Sequence, residues 1–243
     1  MNRSFSPDAY TDRQRALIDS IRRDLASGAS RAAEASRPDF EDRAGRCLTS
    51  LIEVPTDVAR RVECEVIAPL RALDPSALFY EPEQLHVTLK NVRTVKSPPD
   101  FGPREIAAAD RAFRAVVPGA PAFSYDLEGL VPLPASIVLV GYTDARLHRL
   151  LAGLDAALAA EGVPDDKRYF SQEVFMGLVT VARFREPPAP ALVEALAARR
   201  GLRLGAFEVT SARLVTCDAV YGPESRRLHG EYRFGVDAGV SEG

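Results

Sequence analysis

The sequence predicts an α+β fold built on antiparallel sheet. Helical and strand periodicities alternate irregularly instead of repeating as βαβ units. Candidate strands are joined through proline and glycine turns such as Pro55, Pro98-Pro99 and Gly102-Pro103. No Gly-x-Gly-x-x-Gly and no Walker A motif follows a strand, which leaves a doubly wound nucleotide-binding fold without support. The 243 residues suit one two-lobed unit or two half-size lobes, and 46% hydrophobic residues with 27% charged are enough for a packed core.

Residues 11–28 read as a helix, with Thr11 and Gln14 spaced as a capping box and an apolar stripe of Leu17, Ile18, Ile21 and Leu25. Residues 29–46 are rich in Ala, Ser, Arg and acidic groups without periodicity. Residues 1–46 are therefore taken as a helical extension and linker, 47–236 as the main domain and 237–243 as a tail. Residues 48–54 form a strand that Pro55 stops. Thr56 is placed as the cap of a helix whose apolar face is Val58, Val62, Val66, Leu70 and Leu73. Strands follow at 78–80 and 84–92. Pro103 suits the first turn of the next helix, which carries Ile106, Phe113, Val116 and Val117.

The second half repeats this logic. Strands are expected at 123–130 and 137–142, and a Leu-striped helix at 144–161. A strand follows at 174–184, an Ala-rich helix at 189–200, and closing strands at 207–217 and 228–236.

Charge and composition narrow the function. Thirty-one basic against 34 acidic residues leave a net charge of −3, which argues against binding long duplex DNA. No apolar run approaches the roughly 18 residues a membrane span needs. The first residues lack the apolar core of a secretory signal and carry Asp8 and Asp12, so a cytoplasmic protein is expected. Three cysteines in no zinc spacing and three histidines in all argue against a metal centre, and no cofactor is expected.

One segment carries chemistry, Leu85-His86-Val87-Thr88-Leu89-Lys90-Asn91-Val92. Strand alternation points Leu85, Val87 and Leu89 to a core and His86, Thr88 and Lys90 to the other face. A hydroxyl and an ammonium that hold oxygens, beside an imidazole that moves a proton, suit a phosphate ester.

The order of segments resembles the two-histidine (2H) phosphoesterase superfamily, which includes the bacterial 2′-5′ RNA ligase and RNA 2′,3′-cyclic phosphodiesterase proteins. Residues 48–55 are similar to its first strand and proline stop. Glu83 to Leu89 is similar to its first His-x-Thr strand, and Leu127-Glu128-Gly129-Leu130 to its Gly-Leu strand. Residues 175–184 stand where its second His-x-Thr strand belongs, and 209–221 look like its closing strand. The resemblance spans about residues 47 to 236. It implies two pseudo-symmetric lobes of antiparallel sheet flanked by helices, with a central cleft and one His-x-Thr strand per lobe.

The second motif departs from the family pattern. The chain reads Leu178-Val179-Thr180-Val181-Ala182-Arg183, with leucine where the family has its second histidine. The resemblance makes His86, Thr88 and Thr180 the catalytic set, Lys90, Arg183 and Tyr221 binders of phosphate or substrate, and Leu178 a degenerate catalytic position. Strict alternation puts Arg183 on the face opposite Thr180, so reaching the cleft requires a bulge or the strand's end. His229 and His148 read as a polar strand position and a helix-boundary position. Two functions follow: a metal-independent phosphoesterase acting on RNA-end or small-nucleotide cyclic phosphates or 2′-5′ linkages, or a catalytically weakened protein that binds a nucleotide or RNA end.

Overall fold

The computed structural model describes residues 7–27, 43–166, 169–184 and 188–235. The expectations for most of 29–46 and for the tail lie outside these residues. Within them the chain is α+β. In order it forms α1 (Pro7–Ala26), β1 (Arg46–Glu53), α2 (Thr56–Val62), a π turn (Glu63–Ile67), α3 (Ala68–Leu73), β2 (Leu78–Phe79), β3 (His86–Lys96), α4 (Pro103–Val116), β4 (Phe123–Leu133), β5 (Ser136–Tyr142), α5 (Ala145–Ala160), β6 (Gly177–Arg183), α6 (Pro190–Ala198), β7 (Arg203–Val209), β8 (Ser211–Cys217) and β9 (Arg227–Arg233).

The strands make one nine-stranded sheet in the order β7-β4-β5-β6-β3-β1-β8-β9, with β2 paired to β6. The two lobes are the halves of this sheet. The expected single strand over 207–217 is in fact two, broken at Thr210. β7 pairs with β4 at one edge, whereas β8 pairs with β1 in the other half. One residue cannot bridge a flat sheet of that width, because strands lie about 4.8 Å apart. The sheet must therefore curl until its edge at β7 approaches the start of β8. A bridge between Pro121 and Gly235 ties the same two regions.

One face of the sheet carries the main core. Val58, Val62 and Leu70 from the α2–α3 run, Phe113 from α4, and Leu147, Leu151 and Leu154 from α5 pack there against Leu48, Val87, Leu139 and Val179. Helices α4 and α5 start where their sequences direct. Asp144 caps α5 by accepting from the Arg146 N–H, and the Glu105 carboxylate accepts from Gly102 N–H at the head of α4. Thr56 does not cap α2: Pro55 is the N-cap, without a side-chain hydrogen bond. Leu73, expected on the apolar face, is exposed at the last position of α3, whereas Leu70 is fully buried.

The opposite face of the second lobe is covered by α1. Ile18 and Ile21, flanked by Leu17 and Leu25, pack on Val131, Val138, Val140, Tyr142 and Leu178. Thr11 and Gln14 are used for this docking instead of for a capping box, and α1 starts four residues earlier, at Pro7. Thr11 Oγ1 donates to the Thr143 carbonyl. Gln14 is fully buried; its Nε2 donates to the Phe175 carbonyl at 2.5 Å and its Oε1 accepts from Thr143 N–H at 3.1 Å. Arg15 makes a two-pronged pair with Glu128, both contacts 2.9 Å, and lies over the Tyr142 ring. Glu128 is held in place by a bulge in β4 at which Gly129 adopts a φ of +81°. A side chain there would run into the Arg200 carbonyl, so the position requires glycine.

The buried amide of Gln14 gives a stability test. Gln14→Ala strands the Thr143 N–H, so the variant is expected to lose about 1–3 kcal/mol. A urea midpoint equal to that of the parent chain would show that α1 is not anchored through this side chain.

Candidate active site

The two motif strands lie side by side at the middle of the sheet. Val87 of β3 pairs with Val179 of β6 in antiparallel register. The flanking positions then set His86 across from Thr180 and Thr88 across from Leu178. Val87 and Val179 belong to the main core, so His86, Thr88, Leu178 and Thr180 occupy the other face.

His86 is fixed on two sides. Its Nδ1 is 2.7 Å from the Gln84 carbonyl. A carbonyl can only accept, so Nδ1 carries a proton and the lone pair of the neutral ring resides on Nε2. The Tyr221 ring packs beside it, with centroids 4.7 Å apart at 59°.

Tyr221 is held in an unusual backbone conformation, with a φ of +53° on a non-glycine residue. The buried Asp218 carboxylate accepts from Val220 N–H at 3.2 Å and Gly222 N–H at 2.8 Å, closing a turn around it. Arg226 donates to the Tyr221 carbonyl and stacks over its ring at 3.7 Å. The Tyr221 hydroxyl donates to Glu53 at 3.3 Å, and Glu53 also pairs with Arg213. Burial, then the Glu53 charge, pushes the phenol up to about 12, so it stays protonated at neutral pH. Glu53, Arg213 and Arg226 were not legible as site residues. In the structure Glu53 pairs with His86 across the β1–β3 ladder.

The 218–221 turn draws the rest together. Gln84 Nε2 donates to the Val220 carbonyl at 3.0 Å, and Arg183 donates to the Ala219 carbonyl at 3.2 Å and to the Tyr80 hydroxyl at 2.8 Å. Val181 and Ala182 are both fully buried, and the β5–β6 register slips between them and Thr180. Val181 is thus the extra residue of a bulge, which returns Arg183, the last residue of β6, to the face of Thr180.

Lys90 must be corrected. The expectation grouped it with His86 and Thr88, but a register shift in the β1–β3 ladder makes Leu89 the extra residue and turns Lys90 away. Lys90 is 2% exposed and pairs with Asp155 and Asp165, under the Tyr169 ring. Its charge is used to fasten the segment after α5 to β3. Lys90→Met is expected to cost about 3 kcal/mol and to leave phosphate affinity unchanged. Thermal melts and a phosphate titration of the same variant would separate the two; a lost affinity in a fully folded variant would return Lys90 to the site.

Neither other histidine reaches this place. His229 on β9 has its Nε2 3.1 Å from Thr216 Oγ1, and burial followed by the Arg227 charge lowers its pKa. His148 on α5 stacks on Phe175 at 5.8 Å. Leu178 pairs with Val140 and sits in the apolar layer beneath α1. Among the described residues no group of three or more His, Cys, Asp or Glu side chains is placed to hold a metal, and no helix is long and apolar enough to cross a membrane.

Residues 54–220 match the family model of the 2'-5' RNA ligase superfamily. The chain belongs to this superfamily. Solved structures agree on the fold. The TT0787 protein of Thermus thermophilus superposes with a TM-score of 0.55 at 17% identity, over 79% of this chain and 99% of that one. E. coli LigT complexed with 3'-AMP gives 0.53 at 16%, over 78% and 98%. A structure described as a phosphoesterase gives 0.52 at 14%, over 78% and 99%. The comparison with curated proteins gives no match. Helix α1 lies outside residues 54–220, as do β1 and β9.

Proposed function

We propose that this member of the 2'-5' RNA ligase superfamily is a phosphoesterase acting on a cyclic phosphate or a 2′-5′ linkage, at an RNA end or in a small nucleotide. His86 is its single acid–base group, and no metal takes part. The observation that carries this reading is the fixed imidazole of His86, held by the Gln84 carbonyl and the Tyr221 ring across from Thr180. LigT has been crystallised with 3'-AMP, ATP, phosphate and NADP+, which supports a nucleotide as the ligand class.

In this mechanism Nε2 of His86 takes a proton from water as the water oxygen bonds to phosphorus. The bond from phosphorus to one ribose oxygen breaks, and that oxygen takes its proton from solvent, because Leu178 has none to give. Thr88, Thr180 and Arg183 hold the phosphoryl oxygens, and Tyr221 keeps the imidazole in line. Missing one positioned acid costs about 10²–10⁴ in rate, so turnover is slow.

A second reading, a protein that binds a nucleotide or RNA end without turning it over, is favoured by the apolar seat of Leu178 under α1. Incubating the chain with chelator and a panel of 2′,3′-cyclic nucleotides and short RNAs, with product chromatography, decides between them. Chelator-resistant conversion to a phosphomonoester supports the enzyme. Thermal stabilisation by the same compounds without conversion supports the binder. Neither response would sink both.

A further inference from the structure

We propose that Cys47 and Cys217 are a redox site, two thiols that close into a disulfide across the β1–β8 ladder when met by a two-electron oxidant such as hydrogen peroxide or a small disulfide. The two residues are directly paired in antiparallel register. Their Sγ atoms are 3.4 Å apart, with exposures of 6% and 3%. Directly opposed residues on antiparallel strands have Cα atoms roughly 4.5–5.5 Å apart, inside the roughly 4.4–6.8 Å that a disulfide spans. Closing the bond needs the sulfurs to approach by only about 1.3 Å. Cys64, on the π turn, is exposed and has no such partner among the described cysteines.

The chemistry favours one thiol as the nucleophile. The Cys217 S–H supports a thiolate on Cys47 and so lowers the Cys47 pKa. That same bond, with burial and Asp218, pushes Cys217 up, because a second thiolate would stand against the first. The Cys47 thiolate attacks one peroxide oxygen, giving a sulfenic acid and hydroxide, which takes a proton to become water. The Cys217 sulfur then attacks the sulfenic sulfur, its own proton leaving with the hydroxyl as a second water. Two thiols and one peroxide thus yield one disulfide and two waters. With a small disulfide as oxidant, the same thiolate forms a mixed disulfide that Cys217 resolves, releasing two small thiols.

The pair lies in the apolar cluster that includes Leu51, Val215 and the Tyr221 ring. A bond here fastens β1, which carries Glu53, to β8, which carries Arg213, beneath the residue that positions His86. The test is to treat the native chain with hydrogen peroxide or oxidised glutathione, then denature, alkylate and weigh it. Two of the three thiols are expected to be lost with two hydrogens per molecule, and dithiothreitol restores both. Peptide mapping should join Cys47 to Cys217. Cys64→Ser should behave the same with its two remaining thiols, and Cys217→Ser should stop at a sulfenic acid or glutathione adduct on Cys47. Cys47 and Cys217 still open to alkylation after treatment, or consumed as sulfinic acids or intermolecular links, would overturn the assignment.

Discussion

His86→Ala is expected to lower turnover of a 2′,3′-cyclic phosphate by about 10²–10⁴-fold while leaving affinity for the product phosphate within a factor of a few. In the proposed mechanism the imidazole handles the proton and Thr88, Thr180 and Arg183 hold the phosphoryl oxygens, so removing the ring takes the proton transfer and spares the oxygen contacts. The pH profile sharpens the test. A single base gives one limb: the rate rises with pH as the imidazole loses its proton and then stays level. Two histidines working as acid and base would give a bell. Tyr221 adds no limb near neutrality, since its phenol is held up at about 12. Activity unchanged in His86→Ala, or a bell-shaped profile in the parent chain, would remove His86 from its role as sole acid–base group.

How far the sequence leads to this site depends on the residue. His86 and Thr88 could be read because β3 alternates cleanly up to Leu89. Lys90 was misplaced because one extra residue inverts the faces, and a bulge leaves no mark in residue type. For Arg183 the conflict between motif and alternation itself pointed to a bulge or the strand's end, and the register shift at Val181 supplies the bulge. The break at Thr210 was hidden because 207–217 keeps β-type composition through the turn between two distant strands. The docking of α1 leaves a trace in β5. Ser136-Ile137-Val138-Leu139-Val140-Gly141-Tyr142 is buried at every position. A strand without a polar face needs cover on both sides, and the only unassigned apolar stripe was Leu17, Ile18, Ile21 and Leu25. Tyr221 could be named as an aromatic of the closing segment, but its partnership with Glu53 and Arg226 depends on a turn set by Asp218, which sequence does not reveal.

Leu178→His, which restores the residue type of the family motif, is expected to produce no gain in turnover and a loss of about 1–3 kcal/mol in stability. The partly buried position packs on Val140 and the Ile18–Ile21 stripe of α1, and apart from the Thr88 hydroxyl across the ladder these neighbours offer an imidazole no hydrogen bond. Partial burial there lowers the folded-state pKa of the introduced ring below its unfolded value of about 6.5. Above that value neither state binds the proton, and the penalty is that of a partly buried neutral polar group. As the pH falls through it, the unfolded chain gains a proton that the folded chain refuses, so stability drops further until the folded-state pKa is passed. Urea melts at about pH 8 and about pH 5.5 should therefore show a larger deficit at the lower pH than the parent chain shows. A strong rise in turnover on this one change would mean that α1 yields to the ring and that the second lobe retains a working half-site. The expected failure would mean that the leucine and the helix are one feature, since a residue that must seat an apolar helix cannot also deliver a proton.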